Sequence, residues 1–81
     1  MERYETGMLV RSKVGHDAGN VYIIIKKDKD FIYLADGRIR TLDKLKKKKR
    51  KHVQLINKVY DISTFDDVAI KRILKLYKKE A

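Results

Sequence analysis

The apolar residues of this 81-residue chain arrive in short bursts, none longer than five residues, as in "VYIII" at 21–25. A burst of that length cannot cross a membrane, which takes about 20 apolar residues in a helix. Its β-branched and aromatic make-up suits a buried strand instead. Two-thirds of the chain repeats the pattern. "GMLVRSK" (7–13) alternates, with Met8, Val10 and Ser12 facing one way and Leu9, Arg11 and Lys13 the other. "VGHDAGN" (14–20) breaks it, with Gly15 and Gly19 bracketing a polar turn. "VYIIIKK" (21–27) reads as a strand covered on both faces, "DKD" (28–30) as a turn, and "FIYLA" (31–35) as a third strand. Asp36–Gly37 is a hairpin signal, which makes "RIRTL" (38–42) the returning strand and "HVQLIN" (52–57) the fifth. Five short, closely connected strands favour a mainly β fold closed as a small antiparallel barrel, which leaves few exposed edges.

The period changes near residue 63. In "STFDDVAIKRILKLYKKE" (63–80), Phe65, Ala69, Ile73 and Leu76 recur at helical spacing, with Ile70, Leu74 and Tyr77 beside them. Ser63 or Thr64 is placed to cap this helix, and Asp66 and Asp67 suit its first turn. The expected organisation is a barrel over 1–57, a linker over 58–62 and a C-terminal amphipathic α-helix over 63–81 packed on the barrel. One domain is all that 81 residues comfortably supply.

Charge is the other constraint. The chain carries a net +10, and between residues 38 and 51 nine Lys or Arg stand against one Asp, a local +8. Six of those cations are consecutive: Lys46, Lys47, Lys48, Lys49, Arg50 and Lys51. Such a patch attracts polyanions. Read as a loop between two strands, the run repels itself, so it is expected to order only when a polyphosphate partner relieves the repulsion. A solvated loop that merely aids solubility is the plainer reading. An anionic membrane is disfavoured, because no apolar anchors interleave the lysines.

The segment "GMLVRSKVGHDAGNVYIII" resembles a KOW motif: Gly7 opens a strand, Val10 follows, and Gly15 and Gly19 frame a loop leading into residues 23–25. The continuation resembles the ribosomal protein L14e family. Gly15, His16, Asp17, Ala18 and Gly19 match its loop, Asp30, Phe31 and Leu34 its next strand, residues 46–51 its basic stretch, and His52 and Leu55 the strand after that. His16 stands where that family usually has Arg, and Val53 where Leu is common. The resemblance implies an SH3-like barrel of the KOW type, RNA binding, and a place in the cytoplasm on the large ribosomal subunit, with ribosomal RNA and neighbouring ribosomal proteins as partners.

The residues expected to meet RNA are Arg11, Lys13, Gly15, His16, Gly19 and Asn20 around the KOW loop. Arg38, Arg40, the run from Lys46 to Lys51, and His52 complete the set. Cations neutralise phosphates and release counterions, and glycines let a backbone approach closely. Tyr22, Tyr33 and His52 are flat enough to stack on bases, although both tyrosines also fit core packing. Catalysis finds no support. There is no Cys, the two His stand far apart, and no Gly-rich phosphate loop precedes a helix. The expectation is therefore a non-enzymatic monomer without cofactor or metal. The alternative is a protein-interaction module that docks an acidic partner in the transcription or translation machinery.

Overall fold

The computed structural model describes residues 4–63 and 65–80. Strands β1 (Met8–Ser12), β2 (Val21–Lys27), β3 (Phe31–Ala35), β4 (Lys46–Lys49) and β5 (Val53–Val59) are followed by helix α1 (Asp67–Glu80). They form one antiparallel sheet in the order β4-β3-β2-β1-β5. The sheet curls into an SH3-like half-barrel. Its two edge strands, β4 and β5, are joined by a single 3-10 turn over Arg50–His52. The backbone N–H of Lys13 donates to the His52 carbonyl at 2.9 Å and ties that turn to β1.

The alternation expected in β1 places apolar side chains on both faces of the sheet. Val10, Tyr22, Ile24, Ile32, Leu34 and Val53 fill the concave side. Leu9, Val21, Ile23 and Ala35 line the convex side, where Ile70 and Leu74 of α1 cover them. The pleat lets β2 serve both faces, with Val21 and Ile23 on one and Tyr22 and Ile24 on the other, before a register shift between Ile24 and Lys26. Each fully buried aliphatic side chain contributes about 1.5–3 kcal/mol. No helix among the described residues is long and apolar enough to cross a membrane.

Two strand assignments need correction. Residues 38–42 are not a strand. Asp36 and Gly37 do turn the chain, but the Asp36 carboxylate accepts the N–H groups of Arg38 and Arg40, both at 2.9 Å, and holds the segment in bends. The fourth strand is the lysine run itself, so residues 46–51 are not a loop awaiting a partner. Lysine is a poor strand former, yet here β3 supplies a hydrogen-bonded template, pairing Phe31 with Lys49, Ile32 with Lys48, Tyr33 with Lys47 and Leu34 with Lys46. The pleat sends neighbouring ammonium groups to opposite faces, which removes most of the repulsion that argued for a loop. Lysines on an edge strand also discourage pairing with other sheets.

The helix begins later than its sequence suggested. Asp66 is the cap: its carboxylate accepts the Ala69 N–H at 2.8 Å. Ser63 precedes the helix by several residues, and Thr64 lies outside the described residues. Ile70 and Leu74 form the centre of the buried face, whereas Leu76, expected in the apolar stripe, is exposed. The 36–44 segment reaches the start of α1 through the Leu42 N–H, which donates to Asp67 at 2.8 Å. Gly37 fits there because its φ is +76° and a Cβ would collide with the Asp67 carbonyl.

Candidate functional site

The lysines of β4 divide by parity. Lys46 and Lys48 share the concave face with Ile32 and Leu34, their register partners' side. There they meet a carboxylate from the 14–20 loop. Asp17 accepts a hydrogen bond from Lys48 Nζ at 2.9 Å and lies 3.4 Å from Lys46 Nζ. Ser12, itself buried, donates to the same carboxylate at 3.0 Å, and the Tyr22 hydroxyl donates to it at 3.3 Å. Lys48 also donates to the Val14 carbonyl at 3.1 Å. Burial acts to raise the Asp17 pKa. The bonds from Lys48 and Ser12, with the charges of Lys46 and Lys48, outweigh it and bring the carboxyl to about 2 from 3.8. Burial, followed by the nearby Asp17 charge, pushes the Tyr22 hydroxyl up even though Asn20 pulls the other way. Asp17 is thus a clasp that fastens the 14–20 loop to the cationic edge.

Lys47 and Lys49 point to the convex face and are exposed. The same face carries Phe31 and Tyr33, both half-buried. Lys47 Nζ sits 4.2 Å from the centre of the Phe31 ring, and Lys26 Nζ 5.7 Å from that of Tyr33. The Tyr33 hydroxyl donates to Asp28 at 3.0 Å. Asp28 accepts the backbone N–H of Phe31 at 2.8 Å and that of Asp30 at 3.1 Å. Those hydrogen bonds, led by the one from Phe31, hold its carboxyl below the usual range.

Arg50 turns inward. Its guanidinium donates to the Asp28 carbonyl and lies 5.5 Å from the Tyr4 ring centre, while the Tyr4 hydroxyl donates to the Arg50 carbonyl at 3.1 Å. It fastens the 28–30 turn and the N-terminal segment to the 3-10 turn. Lys51 is exposed beside it, and His52 is half-buried.

The expected site residues therefore fall into groups. Lys13, Gly15, His16, Gly19 and Asn20 are exposed in or next to the loop that Asp17 fastens to Lys46 and Lys48. Gly19 has φ +91° with no atom within 4 Å of a built Cβ, so its backbone is open to close approach. Arg11 is half-buried within β1, between Val21 of β2 and Gln54 of β5. Arg38 and Arg40 belong to the 36–44 segment, which is fastened to α1 and not to β4. Of the flat side chains, Tyr22 is buried in the concave core and so is closed to stacking. Tyr33 is accessible. Sequence reasoning did not single out Asp17 as a clasp or Phe31 and Lys26 as surface groups. Reading 46–49 with a strand period would have separated the lysine pairs, but nothing local connects Asp17 to a lysine 31 residues away.

Fold and site together define a small SH3-like barrel with a C-terminal helix, a cationic edge strand and an aromatic–cationic surface beside it. No family model matches the chain, and no curated protein does so.

Proposed function

We propose that this protein is a non-enzymatic RNA-binding module that takes ribosomal RNA along its β4 edge, in the manner implied by its resemblance to the KOW-containing L14e family. The observation that carries this reading is the placement of Lys47, Lys49 and Lys51, exposed in sequence order along one edge, next to a glycine-framed loop. Contacts of this kind bind phosphate and shape more than base sequence. With Lys46 and Lys48 engaged by Asp17 and Arg50 turned inward, about three phosphates are met by Lys47, Lys49 and Lys51. The log–log dependence of affinity on salt then has a slope of about −2 to −3, at roughly −0.7 to −0.9 per phosphate.

The test is sedimentation of tagged protein from lysate at low and high salt, with and without RNase. Co-migration with the large ribosomal subunit through high salt is expected of a ribosomal subunit protein, and loss at high salt of a peripheral binder. Failure to co-migrate under every condition overturns the reading. A second reading rests on the position of β4 at the end of the sheet. An acidic segment of a protein could add there as a further strand, with carboxylates facing the lysines. That complex would survive nuclease.

A further inference from the structure

We infer that Phe31 and Tyr33 form a stacking platform for two consecutive unpaired nucleotides, so that the protein selects single-stranded over duplex nucleic acid. The inference rests on the polyanion-binding reading above and adds the form of the ligand. Phe31 and Tyr33 lie on the same sheet face as Ala35, yet among the described residues neither packs into the convex or the concave core. Half-buried aromatics outside a core need another reason to face solvent in a chain this basic.

The surroundings supply one. In register, Lys26 of β2, Tyr33 of β3 and Lys47 of β4 cross the convex face in one row, and Phe31 and Lys49 form the next. Two shallow concavities of about 510 and 470 Å³ meet at Phe31 and Lys49. Lys29 and Lys51 line the first together with Asp30, and Lys47 and His52 line the second, whose far wall is the Lys46 and Lys48 pair held by Asp17. An aromatic ring thus stands between two cation-lined hollows. A base on the ring would have its phosphates beside ammonium groups on either side. The Lys47 ammonium over the Phe31 ring shows that this face admits a cation. Its flexible stem lets it move to a phosphate when a base replaces it. The bond from the Tyr33 hydroxyl to Asp28 fixes the second ring.

Spacing gives the selectivity. Residues two apart on a strand are about 6.6 Å apart, from a rise of about 3.3 Å per residue. Stacked bases in a duplex strand rise only about 3.4 Å. Consecutive bases can meet both rings only where their own stack has opened, which excludes a duplex. Sheet-borne aromatics read unpaired bases in other folds by the same physics.

The experiment titrates the full-length protein with a mixed-sequence single-stranded RNA, the same strand in a duplex, and an abasic strand of equal phosphate count. Phe31→Leu and Tyr33→Leu are each expected to weaken single-strand binding by about 5- to 150-fold, which corresponds to about 1–3 kcal/mol per stacked base. Duplex and abasic affinity should stay within twofold, and the salt slope should not change. Phe31→Trp places the chain's only Trp on the platform, and its emission should be quenched by the single strand and not by the abasic one. It also reports folding directly. Equal loss of single-strand and duplex binding in the leucine variants overturns the platform while leaving the RNA reading intact, as does unquenched Trp emission on saturation. If the wild-type protein binds none of the three ligands, the RNA reading itself fails, and this inference with it.

Discussion

Lys46 and Lys48 differ from Lys47 and Lys49 in nothing but parity along one strand, and the difference decides what each pair does. The even pair turns into the concave face and is fastened to Asp17. The odd pair turns outward beside Phe31 and Tyr33. A run of identical residues is thus two devices, one holding a loop in place and one presenting charge. The pleat, with its two-residue period, is the whole cause.

The contrast breaks most visibly at the outer pair. Lys47→Glu with Lys49→Glu removes two exposed cations, the phosphate contacts of the proposed RNA interface, and sets carboxylates in their place. Each charge-assisted contact is worth about 1.5 kcal/mol or more, so RNA affinity should fall roughly 100-fold or further in a filter-binding assay. Stability should move by no more than about 0.5 kcal/mol, as for surface changes without buried partners. Large unfolding in this variant would mean that the outer lysines, too, are structural.

Lys46→Gln with Lys48→Gln should show the opposite pattern. It leaves the Asp17 carboxylate enclosed by Ser12 and Tyr22 without a cation. The expected loss is about 1–2 kcal/mol, discounted for solvent reaching the pair. At this chain length that lowers the midpoint of thermal unfolding by about 4–16 °C. RNA affinity, measured well below the midpoint, should change less than threefold. A loss of affinity comparable to that of the outer pair would erase the distinction.

This division also explains how much could be read from the sequence. The strands β1, β2 and β3 were legible because their bursts bury side chains on both faces, and burial is a local demand that composition reveals. The terminal helix was legible from its 3.6-residue period. Its cap was not, since Ser63, Asp66 and Asp67 all satisfy the same local chemistry and docking on the 36–44 segment makes the selection. β4 was illegible because its strand state is imposed by β3. A basic run has no apolar alternation to betray a pleat, and "RIRTL" (38–42) offered a better imitation of a strand. The cationic character of the site was plain in the sequence, but its division was not, because Asp17 reaches β4 through the curl of the sheet.

Asp17→Asn sharpens the comparison by converting the inner pair into copies of the outer one. Stability should fall by about 1–2 kcal/mol, from the same interactions counted from the other partner. Lys46 and Lys48 then become available to phosphates. The salt slope of RNA binding should steepen by about 1.4 to 1.8, at roughly −0.7 to −0.9 per added phosphate. An unchanged slope in titrations at several salt concentrations would mean that the concave face does not reach the ligand even when its lysines are unmasked.

The smallest effect is acid sensitivity, and its sign follows from the Asp17 pKa of about 2 in the fold against 3.8 without it. A carboxylate whose pKa is depressed by folding stabilises the native state fully above its unfolded pKa. That contribution is lost as the pH falls through the folded value, because the native state must then take up the proton it had excluded. The window runs from about pH 4 down to about pH 2. Denaturant titrations across it should show the wild-type protein losing about 1–2 kcal/mol that Asp17→Asn lacks at every pH, so the two stability curves converge near pH 2. Asp28, Asp43 and Asp61 are also held low by local hydrogen bonds, and they titrate alike in both proteins. Their contributions therefore cancel in the difference, which isolates the clasp. Curves that stay parallel down to pH 2 would show that Asp17 exchanges its lysine partners for water at no cost, and the inner and outer lysines would then be equally free.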